Sequence, residues 1–171
     1  MNRTLVFKSP WGWMGLAESS AGIASIVLLR SSRRAVESSL GSTGGGKSVP
    51  SPRLRTAKRQ LTEYLAGKRT TFTLPLDLSQ GTSFQRRVWR VLQHVPYGQL
   101  SSYRNLASLV GGRRYARAVG NAVGSNPLPI VVPCHRIVAH DGSLGGFSCG
   151  LPIKRKLLAL EGSLARLKPK G

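Results

Sequence analysis

Pro133, Cys134, His135 and Arg136 stand side by side after the apolar run Ile130, Val131, Val132, and Cys134 is one of only two cysteines in the 171-residue chain. The chemistry such a group offers is nucleophilic. A thiol attacks as its anion, so it needs a base at hand, and His135 can serve directly or through a water. Pro133 has no N–H for a ladder hydrogen bond, so a strand that runs into it ends there and Cys134 is presented at a chain reversal. The bland competitor is a buried cysteine packed as a small, inert hydrophobe, the commoner fate of a free thiol. The proline before it and the histidine after it favour the nucleophile.

The elements around this group must position it. Leu151 and Pro152 open a last helix in which Ile153, Leu157 and Leu160 share a face, and Glu161 lies beside Leu157 at the edge of that face. A carboxylate there could orient His135. Residues 137–139 and Leu144 flank His140-Asp141-Gly142-Ser143, which reads as a hairpin turn. Upstream, Thr82-Ser83-Phe84-Gln85 is a capping box, followed by Phe84, Val88, Val91, Leu92 and Val95 at helical spacing, with Arg86, Arg87 and Arg90 outside the stripe. Pro96-Tyr97-Gly98 stops that helix. A second helix over about residues 102–110 carries Tyr103, Leu106, Ala107 and Val110 on one face, and Gly111-Gly112 breaks it. A third runs over about residues 113–124. Its apolar stripe is Tyr115, Ala118, Val119, Ala122 and Val123, which leaves Arg114, Arg117 and Asn121 opposite. Two helices joined by a short glycine break are the ingredients of a helix-turn-helix, and the basic face suits DNA or, blandly, solvent.

The first half reads differently. Residues 4–8, 14–17 and 23–29 have the composition of short strands and suggest an antiparallel sheet. Residues 30–53 are rich in Ser, Gly, Arg and Pro, the composition of a mobile loop. Within it, Gly41 to Ser48 matches the phosphate-loop pattern G-x-x-x-x-G-K-S. Its context is wrong: no buried strand leads in, and Pro50 and Pro52 oppose a following helix, so a linker is the better reading. Residues 54–65 resume helical character and residues 71–76 read as another strand. The expected organisation is α/β: a sheet-plus-helix lobe over residues 1–80 with a flexible loop at 31–53, then a mainly helical domain over residues 81–171.

Composition narrows the partner. Twenty-six Lys and Arg against six Asp and Glu give a formal net charge of +20, with both halves basic, which points to a polyanion and first to nucleic acid. No apolar segment approaches the ~20 residues of a membrane span. Two cysteines and three histidines without paired ligand spacing argue against a metal site, and the sparse thiols fit a reducing intracellular compartment better than a disulfide framework.

The second half resembles the O6-alkylguanine-DNA alkyltransferase family, single-turnover DNA repair proteins. The matching pieces are residues 83–95, Pro96-Tyr97-Gly98 with Ser102-Tyr103, and Tyr115-Ala116-Arg117-Ala118-Val119-Gly120-Asn121-Ala122. They continue through Asn126-Pro127-Leu128-Pro129 into Pro133-Cys134-His135-Arg136, then Leu157 to Gly162. The resemblance implies a ribonuclease H-like first lobe and double-stranded DNA carrying O6-alkylguanine, or O4-alkylthymine, as substrate. It also implies a monomer that needs no cofactor and works in the cytoplasm, or in the nucleus of a eukaryote. By resemblance, Cys134 accepts the alkyl group, His135 takes its proton through a water, Glu161 orients His135, and Tyr103 donates to the guanine. Arg117 fills the space of an extruded base, with the third helix in the minor groove. Ala116, Ala118 and Gly120 permit close approach, and Arg114, Tyr115 and Asn121 belong to the same DNA-facing surface. Pro129, Phe147 and Val123 line the alkyl pocket, the backbone near Ser148 meets the departing oxygen, the carbonyls of Cys134 and Ile137 receive the guanine amino group, and Asn126 braces the connection to the third helix.

Phe147 stands where the family often has tyrosine, and Cys149 where it usually has glycine. Three other readings stay open from the residues: a non-catalytic helix-turn-helix sensor of alkylated DNA, a transcription factor, and a cysteine hydrolase. The sensor kind lacks the acceptor cysteine, so Cys134 speaks against it.

Overall fold

The computed structural model describes residues 3–41 and 49–169, which cluster into two compact units, Met1–Leu78 and Ser79–Gly171. In the first, β1 (Arg3–Ser9), β2 (Gly12–Glu18) and β3 (Ile23–Arg30) form an antiparallel sheet in sequence order. β2 is buried from Met14 to Glu18 because helices cover it on both faces. On one face α1 (Arg33–Ser39) lies so close to Gly15 that a Cβ there would meet Val36 at 2.4 Å. On the other, Phe7, the cross-strand partner of Met14, meets Lys58 of α2 (Pro52–Leu65), whose ammonium sits 5.6 Å from the ring centroid. Ser51 caps α2 and Pro52 occupies its first turn, where its missing N–H is no loss.

Two expectations need correction in this unit. Residues 31–53 are not loop throughout: Ser32 caps α1 by accepting from the Ala35 N–H at 3.2 Å, and Val36 is fully buried. The phosphate-loop look-alike, from Ser42 to Ser48, lies outside the described residues. Residues 71–76 do not form a strand. Pro75 has no N–H to donate, and the Thr73 N–H is taken by Gln60 Oε1 at 3.0 Å, so only an isolated bridge of Leu76 with Ile23 remains.

In the second unit α3 (Ser83–Leu92) begins with a complete Thr82–Gln85 capping box and buries Val88, Trp89 and Leu92. Trp89, absent from the sequence-derived stripe, is the element's anchor: its indole N–H donates to the Ala122 carbonyl at 2.8 Å. β4 (Ser101–Ser102) leads into α4 (Tyr103–Val110), which ends at Gly111. Gly112, at φ +127°, lets the chain turn into a 3-10 turn over Arg113–Tyr115 and then α5 (Ala116–Gly124). α4 and α5 pack against each other and against α3 as a helix-turn-helix. Because α5 starts only after the 3-10 turn, the expected stripe is shorter: Val119, Ala122 and Val123 are buried, whereas Ala118 is exposed and Tyr115 half-buried.

After α5 come a 3-10 turn over Cys134–Arg136, β5 (Ile137–Val138) and α6 (Leu151–Leu160). The turn expected after residue 139 is present, with the Gly142 N–H donating to Ala139 O at 2.9 Å. The Ala139 N–H donates in return to Ser143 O at 3.0 Å, closing the hairpin turn, while β5 itself pairs in parallel with β4. Among the described residues no helix is long and apolar enough to cross a membrane.

Candidate active site and nucleic-acid interface

Pro133 adopts φ −80° and ψ 65°, and the Cys134 N–H donates back to Val132 O at 2.8 Å, closing a tight turn. Ile130, with φ +75°, is held in the left-handed region that a β-branched residue avoids. The fold tolerates this because the loop is tied at both ends. Asn126, just past α5, donates through Nδ2 to Val132 O at 2.8 Å and accepts the Leu128 N–H at 2.9 Å. The same side chain favours the ionised form of Cys134, so α5, the loop and the thiol are linked through one residue.

Cys134 is 3 % exposed. Burial pushes its thiol up to about 12, opposed by the Asn126 hydrogen bond and the charge of Lys154, so the resting group is a thiol that needs a base. His135 is fully buried beside it, and its Nε2 lies 2.8 Å from Glu161 Oε1. A carboxylate accepts, so Nε2 carries the proton and Nδ1 presents its lone pair. Among the described residues Nδ1 has no hydrogen-bond partner. Burial holds the imidazole below its ordinary pKa, against the pull of Glu161, which keeps it neutral and basic near pH 7.

Glu161 caps the C-terminal end of α6, 6 % exposed, and is gripped a second time. Arg136 donates from Nε to Oε2 at 2.9 Å and from Nη2 to Oε1 at 2.8 Å, a bidentate pair. Its Nη1 donates to Val95 O at 2.7 Å and its guanidinium lies 5.7 Å from the Tyr97 ring centroid. Sequence reasoning gave Arg136 no role, although its place in the motif offered a signal. It also missed Lys154, buried on α6 in line with Leu158 and Glu161 at four- and seven-residue spacing. A lysine inside an apolar stripe was the available clue.

Tyr103, at the start of α4, reaches toward the same place. Its hydroxyl donates to Gly146 O at 3.3 Å, and burial together with nearby Cys134 raises its pKa, keeping it a protonated donor. The Ile137 and Cys134 carbonyls are engaged internally, by the Lys154 ammonium at 2.7 Å and by the Ile137 N–H. Pro129, Val123 and Ile137 are buried, Phe147 and Cys149 half-buried, and Ser148 exposed. Along the outer side of the helix-turn-helix, Arg114, Arg117 and Asn121 are exposed, Ala116 is half-buried, and a Cβ on Gly120 would meet nothing within 4 Å. The Arg114 guanidinium stacks 5.0 Å from the Tyr115 ring centroid. Among the described residues no group of three or more His, Cys, Asp or Glu could hold a metal ion.

A buried thiol beside an imidazole–carboxylate pair thus shares one unit of the chain with a helix-turn-helix. Residues 83–163 match the family model for the 6-O-methylguanine DNA methyltransferase DNA binding domain, and residues 3–78 its ribonuclease-like domain. The chain belongs to the O6-alkylguanine-DNA alkyltransferase family. It is 52 % identical over 105 residues to the methylated-DNA–protein-cysteine methyltransferase of Mycolicibacterium paratuberculosis, an alignment covering 61 % of this chain and 63 % of that relative. The constitutive enzyme of that name from Bacillus subtilis is 47 % identical over 111 residues, covering 64 % and 67 %. The crystal structure of Mycobacterium tuberculosis OGT in complex with DNA superposes with a TM-score of 0.76 at 37 % identity, covering 96 % of this chain and 94 % of that one.

Proposed function

We propose that this protein repairs DNA by moving the alkyl group of O6-alkylguanine, and of O4-alkylthymine where that lesion fits, onto Cys134 in a single turnover without a cofactor. The observation that carries this reading is the buried cluster of Cys134, His135 and Glu161, in which the imidazole has one nitrogen committed to the carboxylate and the other unpartnered. His135 Nδ1 takes the thiol proton through a water. The sulfur anion then displaces carbon from the guanine oxygen, forming the S–C bond as the C–O bond breaks, and the electron pair passes into the purine. Tyr103 donates to the leaving base, and the backbone beside Ser148 meets its oxygen. The thioether has no easy leaving group, so the protein is spent.

The reacting carbon is out of reach in a stacked duplex, so the nucleotide must be turned out. In this reading Arg117 occupies the vacated stack, while Ala116 and Gly120 let the backbone of α5 approach the minor groove and Arg114, Tyr115 and Asn121 flank it. Pro129, Val123 and Phe147 line the alkyl pocket, and the second lone pairs of the Cys134 and Ile137 carbonyls receive the amino group. The expected working form is a monomer on double-stranded DNA in the cytoplasm, or the nucleus of a eukaryote. Intact-mass measurement after mixing with a duplex carrying O6-methylguanine tests the proposal. One methyl per chain on Cys134, absent in Cys134→Ala, is expected; loss of the lesion with Cys134 unmodified overturns it.

A further inference from the structure

Lys154 is fully buried, and its ammonium donates to the carbonyls of Ile137 at 2.7 Å, Leu144 at 2.6 Å and Gly146 at 2.9 Å. Among the described residues no carboxylate pairs with it. Carbonyl dipoles satisfy its donors without neutralising its charge, which is a costly arrangement in an interior. Burial accordingly lowers its pKa to about 8, and the Cys134 thiol pulls the other way. A purely structural plug would be better made of methionine.

The geometry gives the charge two uses. The Gly146 carbonyl accepts from both Lys154 and the Tyr103 hydroxyl, the latter at the longer distance of 3.3 Å. Gly146 is exposed, so were Tyr103 its sole donor, turning that hydroxyl toward a substrate would leave the carbonyl to water until a base seated there displaced it. The second use is electrostatic. Lys154 also acts on Cys134 and His135, lowering the pKa of each. The remaining nearby charges, Arg136 and Glu161, are paired with each other.

We propose that Lys154 is a positioning residue for alkyl transfer: it keeps the Gly146 carbonyl satisfied while Tyr103 turns to the extruded base, and its charge offsets the negative charge developing on the Cys134 sulfur. This rests on the repair reading above, and the tests separate the two. Lys154→Met is compared with the wild type in the rate at which iodoacetamide modifies Cys134 from about pH 6 to about 10, a measurement that needs no DNA. Modification is expected to be about tenfold slower in the variant below about pH 8, where the ammonium is charged, and the two rates to converge above it. Single-turnover methyl transfer is expected to slow by more than that, and Tyr103→Phe is expected to cost less in the Lys154→Met background than alone. A folded Lys154→Met with the wild-type pH profile, or additive losses with Tyr103→Phe, overturns the proposal.

If Lys154→Met does not fold, lysine-selective NMR on the wild type decides. One lysine is expected to titrate near 8, and the iodoacetamide rate at Cys134 of the wild type to climb less steeply with pH across that midpoint, as the ammonium loses its charge. A rate that climbs by the same factor per pH unit on both sides of that midpoint overturns the proposal. A wild type that takes up no methyl sinks the repair reading, while the iodoacetamide profile still reports on the charge.

Discussion

His135 sets the pH range over which Cys134 can react. Its pKa is held below 6.5 by burial, and the competent form of a base is the unprotonated one, so lowering the pKa extends competence toward acid. The single-turnover transfer rate is therefore expected to lack an acid limb at 6.5 and to fall only at lower pH; a limb centred at or above 6.5 contradicts this. Glu161→Gln tests the other side of the cluster. It removes the carboxylate that faces Arg136 and releases the tautomer of His135, so transfer is expected to slow about 10²- to 10⁴-fold and urea unfolding to show a loss of about 3–5 kcal/mol. Cys134 and His135 were legible in the sequence because adjacent letters carry the chemistry, and Glu161 because it sits at the edge of an apolar helix face. The ties to Val95, Leu144 and Gly146 were not. They join side chains to main-chain carbonyls, which leave no signature in residue type.

At the scale of elements, the buried Trp89 indole of α3 ties down the helix-turn-helix by a long-range bond. Trp89→Phe keeps most of the buried ring but removes the indole donor of the Ala122 carbonyl, which retains the Ser125 N–H at 3.2 Å, so a loss of about 0.5–1.5 kcal/mol is expected from urea denaturation with the slope unchanged. Arg117→Ala is expected to impair repair in duplexes far more than reaction with the free modified base; equal losses would remove its extruding role. Periodicity revealed the helices of the second unit because each buries one stripe. It failed where one side chain decides the backbone's partners. Gln60 diverts Thr73 from strand pairing, and a single buried valine gives a Ser- and Arg-rich stretch enough anchorage for α1. Neither effect shows in a window of composition.

For the whole molecule, charge governs encounter. With a formal net charge of +20, binding to DNA is expected to weaken steeply with salt. Contact with six to ten phosphates would lose about 10³- to 10⁵-fold in affinity between about 50 and 200 mM salt, a slope that fluorescence anisotropy would read directly. A shallow slope would mean that most of the excess charge lies away from the duplex. The 3 % exposure of Cys134 then takes on a different meaning. A reagent that works once must first keep. Nearly covered by the fold and protonated at rest, the sulfur reacts only slowly with the peroxides and small electrophiles of its surroundings, so a molecule that waits long for its lesion still arrives unspent.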